Sequence, residues 1–137
     1  MVQHKCLLLL FLVASCAAIE SNTQGPLQPQ SVAGPCTVKR FFLLANRSVP
    51  TQMSIANTGT ACTFTLINPA LNAVVNAALV TGGAKHGHAD AAVINGARQA
   101  AVSYMPAPGY TGPDKFDITL EPNAVGVTVD VMVEAGR

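Results

Sequence analysis

Residues 104–116 (Tyr-Met-Pro-Ala-Pro-Gly-Tyr-Thr-Gly-Pro-Asp-Lys-Phe) constrain this chain more than any other stretch. Pro106 and Pro108 fix φ and withhold backbone donors, so a strand arriving at Tyr104 has to stop there. Gly109 and Gly112 permit the chain to reverse, and Pro113 stiffens the exit. Asp114 is placed to accept hydrogen bonds from nearby turn amides. Beyond the turn, Phe116, Ile118 and Leu120 alternate with Asp117 and Thr119. Further on, Val127, Val129, Val131 and Val133 alternate with Thr128, Asp130, Met132 and Glu134. Such period-two runs are half-buried antiparallel strands, and a rigid turn leading into two of them marks a β protein.

The remainder of the C-terminal hundred residues reads the same way. Strands are expected at 38–45, 52–57, 62–68, 74–80, 91–94, 100–105, 115–121 and 125–134. Turn residues separate them: Asn57-Thr58-Gly59, Thr81-Gly82-Gly83 and Asn95-Gly96 offer the positive-φ positions of tight connections. Asn95-Gly96 suggests a hairpin, although the following Ala97-Arg98-Gln99 leaves room for a longer loop. The Ala-rich stretch 71–80 competes between strand and short helix, and its Val residues and flanking Gly favour strand. About seven to eight short strands at this spacing are the pattern of a single immunoglobulin-like antiparallel β-sandwich.

The turn also resembles the Y-x-P-x-x-G-Y-x-G-x-D-x-F signature of bacterial immunoglobulin-like and cadherin-like repeat domains. Upstream, Lys85-His86-Gly87-His88-Ala89 is similar to the p-x-H-G-x-a turn of the same repeats, so the resemblance covers about residues 85–133. It implies a structural or adhesive module of a secreted or surface protein. Each conspicuous residue of the signature (Pro106, Pro108, Gly109, Tyr110, Gly112, Asp114 and Phe116) takes a folding role, with the Tyr110 ring expected to be buried at a corner and its hydroxyl bonded to backbone. The pattern departs from antibody-type domains, because tryptophan is absent. Cys36 and Cys62 also stand too close in sequence for the usual inter-sheet pair.

The N-terminus reads as an address. A short basic start, Met1 to Lys5, precedes an almost purely apolar run at 6–14. The run falls short of the ~20 residues a bilayer requires and reads as the core of a secretory signal. Val13-Ala14-Ser15-Cys16 resembles a bacterial lipobox, which implies cleavage before Cys16 and a diacylglyceryl thioether on it. Ala17 lacks the Asp associated with inner-membrane retention and suits outer-membrane sorting. Ordinary cleavage after Ser15-Cys16-Ala17 or Cys16-Ala17-Ala18 fits the same residues, and the product would then be secreted. Residues 17–35 are rich in Gln, Pro, Ser, Asn and Gly and are expected to form a flexible tether. The organisation is thus a signal at 1–16, a tether at 17–35 and one domain at 36–137, with no further run long and apolar enough to span a membrane.

Cysteine and charge narrow the function. Cys6 leaves with the signal and Cys16 is either lipidated or lost, leaving Cys36 and Cys62 to form one disulfide in an oxidising compartment. The full chain has eight Lys and Arg against seven Asp and Glu. Loss of Lys5 brings the mature chain to neutrality, and the cations are scattered apart from Lys39-Arg40, so a nucleic-acid partner is not expected. His86, His88 and Asp90 could share Cu(II) or Zn(II), because residues two apart lie on one side of a strand. No Gly-x-Ser-x-Gly, His-Glu-x-x-His or P-loop occurs, and no cofactor or catalytic residue is expected. Asn46-Arg47-Ser48 has the form of a glycosylation sequon, incidental in a bacterial lipoprotein. The sequence therefore predicts a non-enzymatic exported interaction module, lipid-anchored in a bacterial envelope and binding a protein or glycan. The alternative is a small periplasmic metal-binding protein.

Overall fold

The computed structural model describes residues 31–67, 74–94, 96 and 98–137. The signal segment, Cys16, residues 17–30 of the expected tether, Asn95 and the start of the Ala-rich stretch lie outside the described residues. Nine strands form two sheets: β1 (Ser31–Ala33), β2 (Cys36–Val38), β3 (Ser48–Asn57), β4 (Cys62–Ile67), β5 (Ala77–Gly82), β6 (Gly87–Ile94), β7 (Gln99–Pro106), β8 (Gly112–Glu121) and β9 (Val125–Ala135). One sheet has the order β1-β4-β7-β6, the other β2-β3-β9-β8-β5. There is no helix among the described residues, so the Ala-rich stretch contributes a strand where it is described, starting at Ala77.

The alternating segments behave as their pattern demands. Phe116, Ile118 and Leu120 of β8 and Val127, Val129, Val131 and Val133 of β9 all point inward. They meet Phe64 and Leu66 of β4, Ala100, Val102 and Tyr104 of β7, and Met53 and Ile55 of β3 in one apolar core between the sheets. Each large apolar side chain removed from water there contributes about 1.5–3 kcal/mol.

Four expectations need correction. The stretch 38–45 is not a strand: β2 ends at Val38 and only Phe41 makes an isolated bridge. Phe41 and Leu43 are buried while Phe42 and Leu44 are exposed, so the apolar run anchors a loop rather than a ladder. Within the expected tether, Ser31–Ala33 is β1, paired with Thr63, Phe64 and Thr65 of β4. Its backbone bonds suffice for an edge strand that buries no side chain. The sandwich is not wholly antiparallel either, since β3 runs parallel to β9 from Ser48 opposite Gly126 to Asn57 opposite Ala135. Finally, Thr81-Gly82 is not a turn but lies inside β5, where the register against β8 shifts between Val80 and Gly82.

The chain changes sheets between β1 and β2. Gly34 makes this corner with φ +110°, and a Cβ on it would collide with the carbonyl oxygen of Ala61. Immediately afterwards Cys36 of β2 is bonded to Cys62 of β4, with Cα atoms 5.7 Å apart. The expected disulfide is therefore present, and it joins the two sheets. A separation of only 26 residues allows this because the edge strand has just crossed over.

Strand directions define two ends. β8 leaves the β7–β8 turn at Gly112 and finishes at Glu121, while β9 and β3 run back toward the turn. β1 also runs toward the turn, because it is antiparallel to β4 and Cys62 of β4 lies opposite Tyr104 of β7. β1 thus points away from the base, the end opposite the β7–β8 turn.

Candidate functional site at the turn end

The signature residues converge at the turn end around one buried carboxylate. Tyr104 occupies an inward position of β7, in phase with Ala100 and Val102, and is wholly buried. A buried phenol needs a polar partner, and its hydroxyl donates to Asp114 Oδ2 at 2.8 Å. Asp114 also accepts from the backbone amides of Lys85 and His86 at 2.9 Å each, and from that of Lys115. Burial pushes the Asp114 carboxyl up, but the amides of Lys85, Lys115 and His86 and the Tyr104 hydroxyl outweigh it and hold the group below its ordinary value. Burial, followed by the hydrogen bond to Asp114 and its charge, pushes the Tyr104 phenol well above its ordinary value.

This cluster is a lock between elements. Through Asp114, β8 holds the β5–β6 loop, and Tyr104 ties β7 to the same atom. The Tyr104 ring stacks on Phe116 with centroids 5.5 Å apart and planes 7° off parallel. On its other side β6 passes at Gly87, where a Cβ would lie 2.7 Å from the ring. Gly87 therefore serves close approach, which explains the His-Gly step.

The turn itself is braced from β3. Asn57 Nδ2 donates to the carbonyls of Ala107 and Tyr110 at 2.8 and 2.9 Å. Ala107 N donates to His86 O and Tyr110 N to Ala107 O. Gly109 and Gly112 have φ of +75° and +127°, as the reversal requires. Tyr110 is not the buried tyrosine: it is half-exposed, its hydroxyl donates to Pro113 O at 2.6 Å, and its ring stacks on exposed His86 with centroids 4.2 Å apart. The corner role expected of Tyr110 in the interior is filled by Tyr104, because Tyr104 continues the inward phase of β7. Pro106 closes β7, which lies between β4 and β6.

The histidines part company. His86 turns to Tyr110, whereas His88 Nε2 lies 2.9 Å from Asp90 Oδ2 on the exposed face of β6. Among the described residues no three His, Cys, Asp or Glu side chains are grouped as a metal site requires. What remains at the surface is a shallow groove lined by His86, His88, Met105 and Pro108. Met105 is 45 % exposed. A stacked ring pair, a thioether and proline faces bind by contact and stacking. The only buried carboxylate among the described residues is already fully engaged, and the exposed hydroxyl of Ser54 donates to Glu134.

Compared with protein-family models, curated proteins and solved structures, the chain matches none. Its surface chemistry is therefore read from its own residues. Tyr104 is the site residue that turn chemistry alone did not mark, while Asn57, expected in a tight connection, ends β3 instead. The inward phase of Tyr104 was a usable signal, since an inward phenol ten residues before Asp114 has that carboxylate as a natural partner.

Proposed function

We propose that this chain is an exported, non-enzymatic interaction module, tethered through a lipid on Cys16 to a bacterial envelope, that binds a protein or glycan with its turn end. The fixed surface there carries the proposal: the lock and the Asn57 brace hold the turn rigid, while His86 and Met105 stay exposed. A preformed surface loses little freedom on binding. It also stands at the end toward which β1 runs, so a domain tethered ahead of β1 would present it outward.

The domain is proposed to be immunoglobulin-like. The sheet order β1-β4-β7-β6 corresponds to strands A, B, E and D, and β9-β8-β5 to G, F and C. Support for the envelope location comes from Val13-Ala14-Ser15-Cys16 and from the disulfide, which persists in an oxidising compartment.

Photo-cross-linking in intact envelopes tests the partner. A photoreactive residue at Met105 is expected to capture one discrete component, and the same residue at Ala92, on the same outer face but opposite Ala101 and further from the turn, is not. Equal capture at both positions, or none at Met105, removes the turn end as the binding surface.

A further inference from the structure

At the base of the sandwich, apolar side chains and cations share one exposed surface. The loop between β2 and β3 reads Lys39-Arg40-Phe41-Phe42-Leu43-Leu44-Ala45-Asn46-Arg47. Phe41 and Leu43 are buried beneath it, which turns Phe42 and Leu44 outward with 41 % and 49 % of their surface exposed. Lys39, Arg40 and Arg47 are exposed beside them. The loop reaches the base because Arg47 adjoins Ser48, which starts β3 opposite Gly126, and because Asn46 N donates to Asn123 O in the β8–β9 turn. Exposed Arg98 lies in the β6–β7 connection at the same end.

Neither ion pair among the described residues involves Lys39, Arg40, Arg47 or Arg98. No Asp or Glu occurs between Glu20 and Asp90. Asp130 lines a shallow groove with Lys39 and Arg40, but it is paired with Lys115. Glu121 is the acid at the end of β8. Asp117 lines a groove with Arg47 but accepts from the Thr128 hydroxyl, and the other described acids, Asp90, Asp114 and Glu134, sit further toward the turn.

We propose that the base of the sandwich is a membrane-contact surface, with Phe42 and Leu44 entering the headgroup region of a bilayer and Arg40, Arg47 and Arg98 pairing with anionic lipid phosphates. Exposed large apolar residues rimmed by arginine suit an interface that is apolar on one side and anionic on the other. Protein partners would need matching acids, whereas a bilayer supplies the charge as a continuous plane. The orientation rests on the anchored reading, while the surface does not.

The chain from residue 17 onward, free of signal and acyl group, holds the whole described sandwich and tests the surface alone. It is mixed with phosphatidylcholine vesicles with or without one-third phosphatidylglycerol, and bound protein is measured by sedimentation. Binding is expected only with the anionic lipid and should be lost in half-molar salt. Each cation at such a surface is worth about fivefold in partitioning, so Arg40→Gln with Arg47→Gln lowers it about 25-fold. Phe42→Ser with Leu44→Ser is expected to lower it at least tenfold. Lys85→Gln, in the β5–β6 loop at the turn end, should change it less than twofold, and near-ultraviolet circular dichroism verifies that every variant is folded. Equal binding to neutral and anionic vesicles, no binding to either, or equal loss in base and turn-end variants overturns the inference. The mass of the native N-terminus reports the anchor separately, so vesicle binding without acylation would remove the anchor and leave this surface standing.

Discussion

Removing the Asp114 carboxylate should cost the fold more than any other single polar change, and the effect should be shared with Tyr104. Hydrogen bonds to a charged group are worth about 1.5–3 kcal/mol, and leaving a buried donor unpaired costs about 1–3 kcal/mol. Tyr104 is wholly buried, so Tyr104→Phe forfeits one charge-assisted bond, about 2 kcal/mol. Asp114→Ala strands the same hydroxyl and frees the amides of Lys85 and His86, which can reach water, for about 3–4 kcal/mol in total. In the Asp114→Ala background the hydroxyl has no partner, and Tyr104→Phe should then be neutral or mildly stabilising. The predicted coupling in a double-mutant cycle is about 2 kcal/mol. Urea unfolding of the four proteins at pH 7 measures it. Strict additivity would refute the claim that the two side chains form one unit.

The same lock sets the pH limits. Asp114 is held below its ordinary 3.8, so the unfolded chain binds the proton first as pH falls. Its contribution is full above about pH 5 and is lost as pH drops through the folded value. Tyr104 is shifted above 10.0, so its contribution is full below that value and is lost as pH rises through the folded value. Asp114→Asn should therefore flatten the loss of stability seen in the parent as pH falls below the ordinary carboxylate value of 3.8.

Other perturbations follow from the corner and the turn. Reducing Cys36–Cys62, which closes a separation of 26 residues, should cost about 3.5 kcal/mol in urea midpoints compared with and without reductant. With ~2.1 cal/mol/K of unfolding entropy per residue, that corresponds to a fall of about 15 °C in Tm. Gly34→Ala combines a φ of +110° with a clash against Ala61 O, and thermal unfolding should show a loss of about 2–4 kcal/mol. Tyr110→Phe removes only an exposed hydroxyl's bond to Pro113 O and should cost less than about 1 kcal/mol, well short of Tyr104→Phe in the same assay.

Much of the sandwich was legible because burial on one face imposes a period of two. The alternation in β8 and β9 located both strands, and β9 ends one residue beyond its expected limit, at Ala135. Where side-chain patterning does not decide, the sequence was silent. β1 exposes all three residues and forms through backbone bonds alone. The parallel pairing of β3 with β9 leaves no mark on either strand, since the inward positions are apolar whichever direction the partner runs. Phe41 to Leu44 misled in a specific way: two side chains enter the core and two face out, as in a strand, but the backbone has left the ladder. At the candidate site, the Pro and Gly positions announced the turn. The choice between Tyr104 and Tyr110 for the interior depended on strand phase across Pro106. The exposure of Phe42 and Leu44 beside Arg40 and Arg47 appears only once the loop is folded against the base.

The account stands or falls on the tether that would set one end of the sandwich at a membrane and the other outward. The direct measurement is the mass of the N-terminal peptide of the protein recovered from its native envelope. A peptide beginning at Cys16 and carrying diacylglyceryl and amide-linked acyl mass is the predicted result. An unmodified peptide beginning at Ala18 or Ile19 would contradict it.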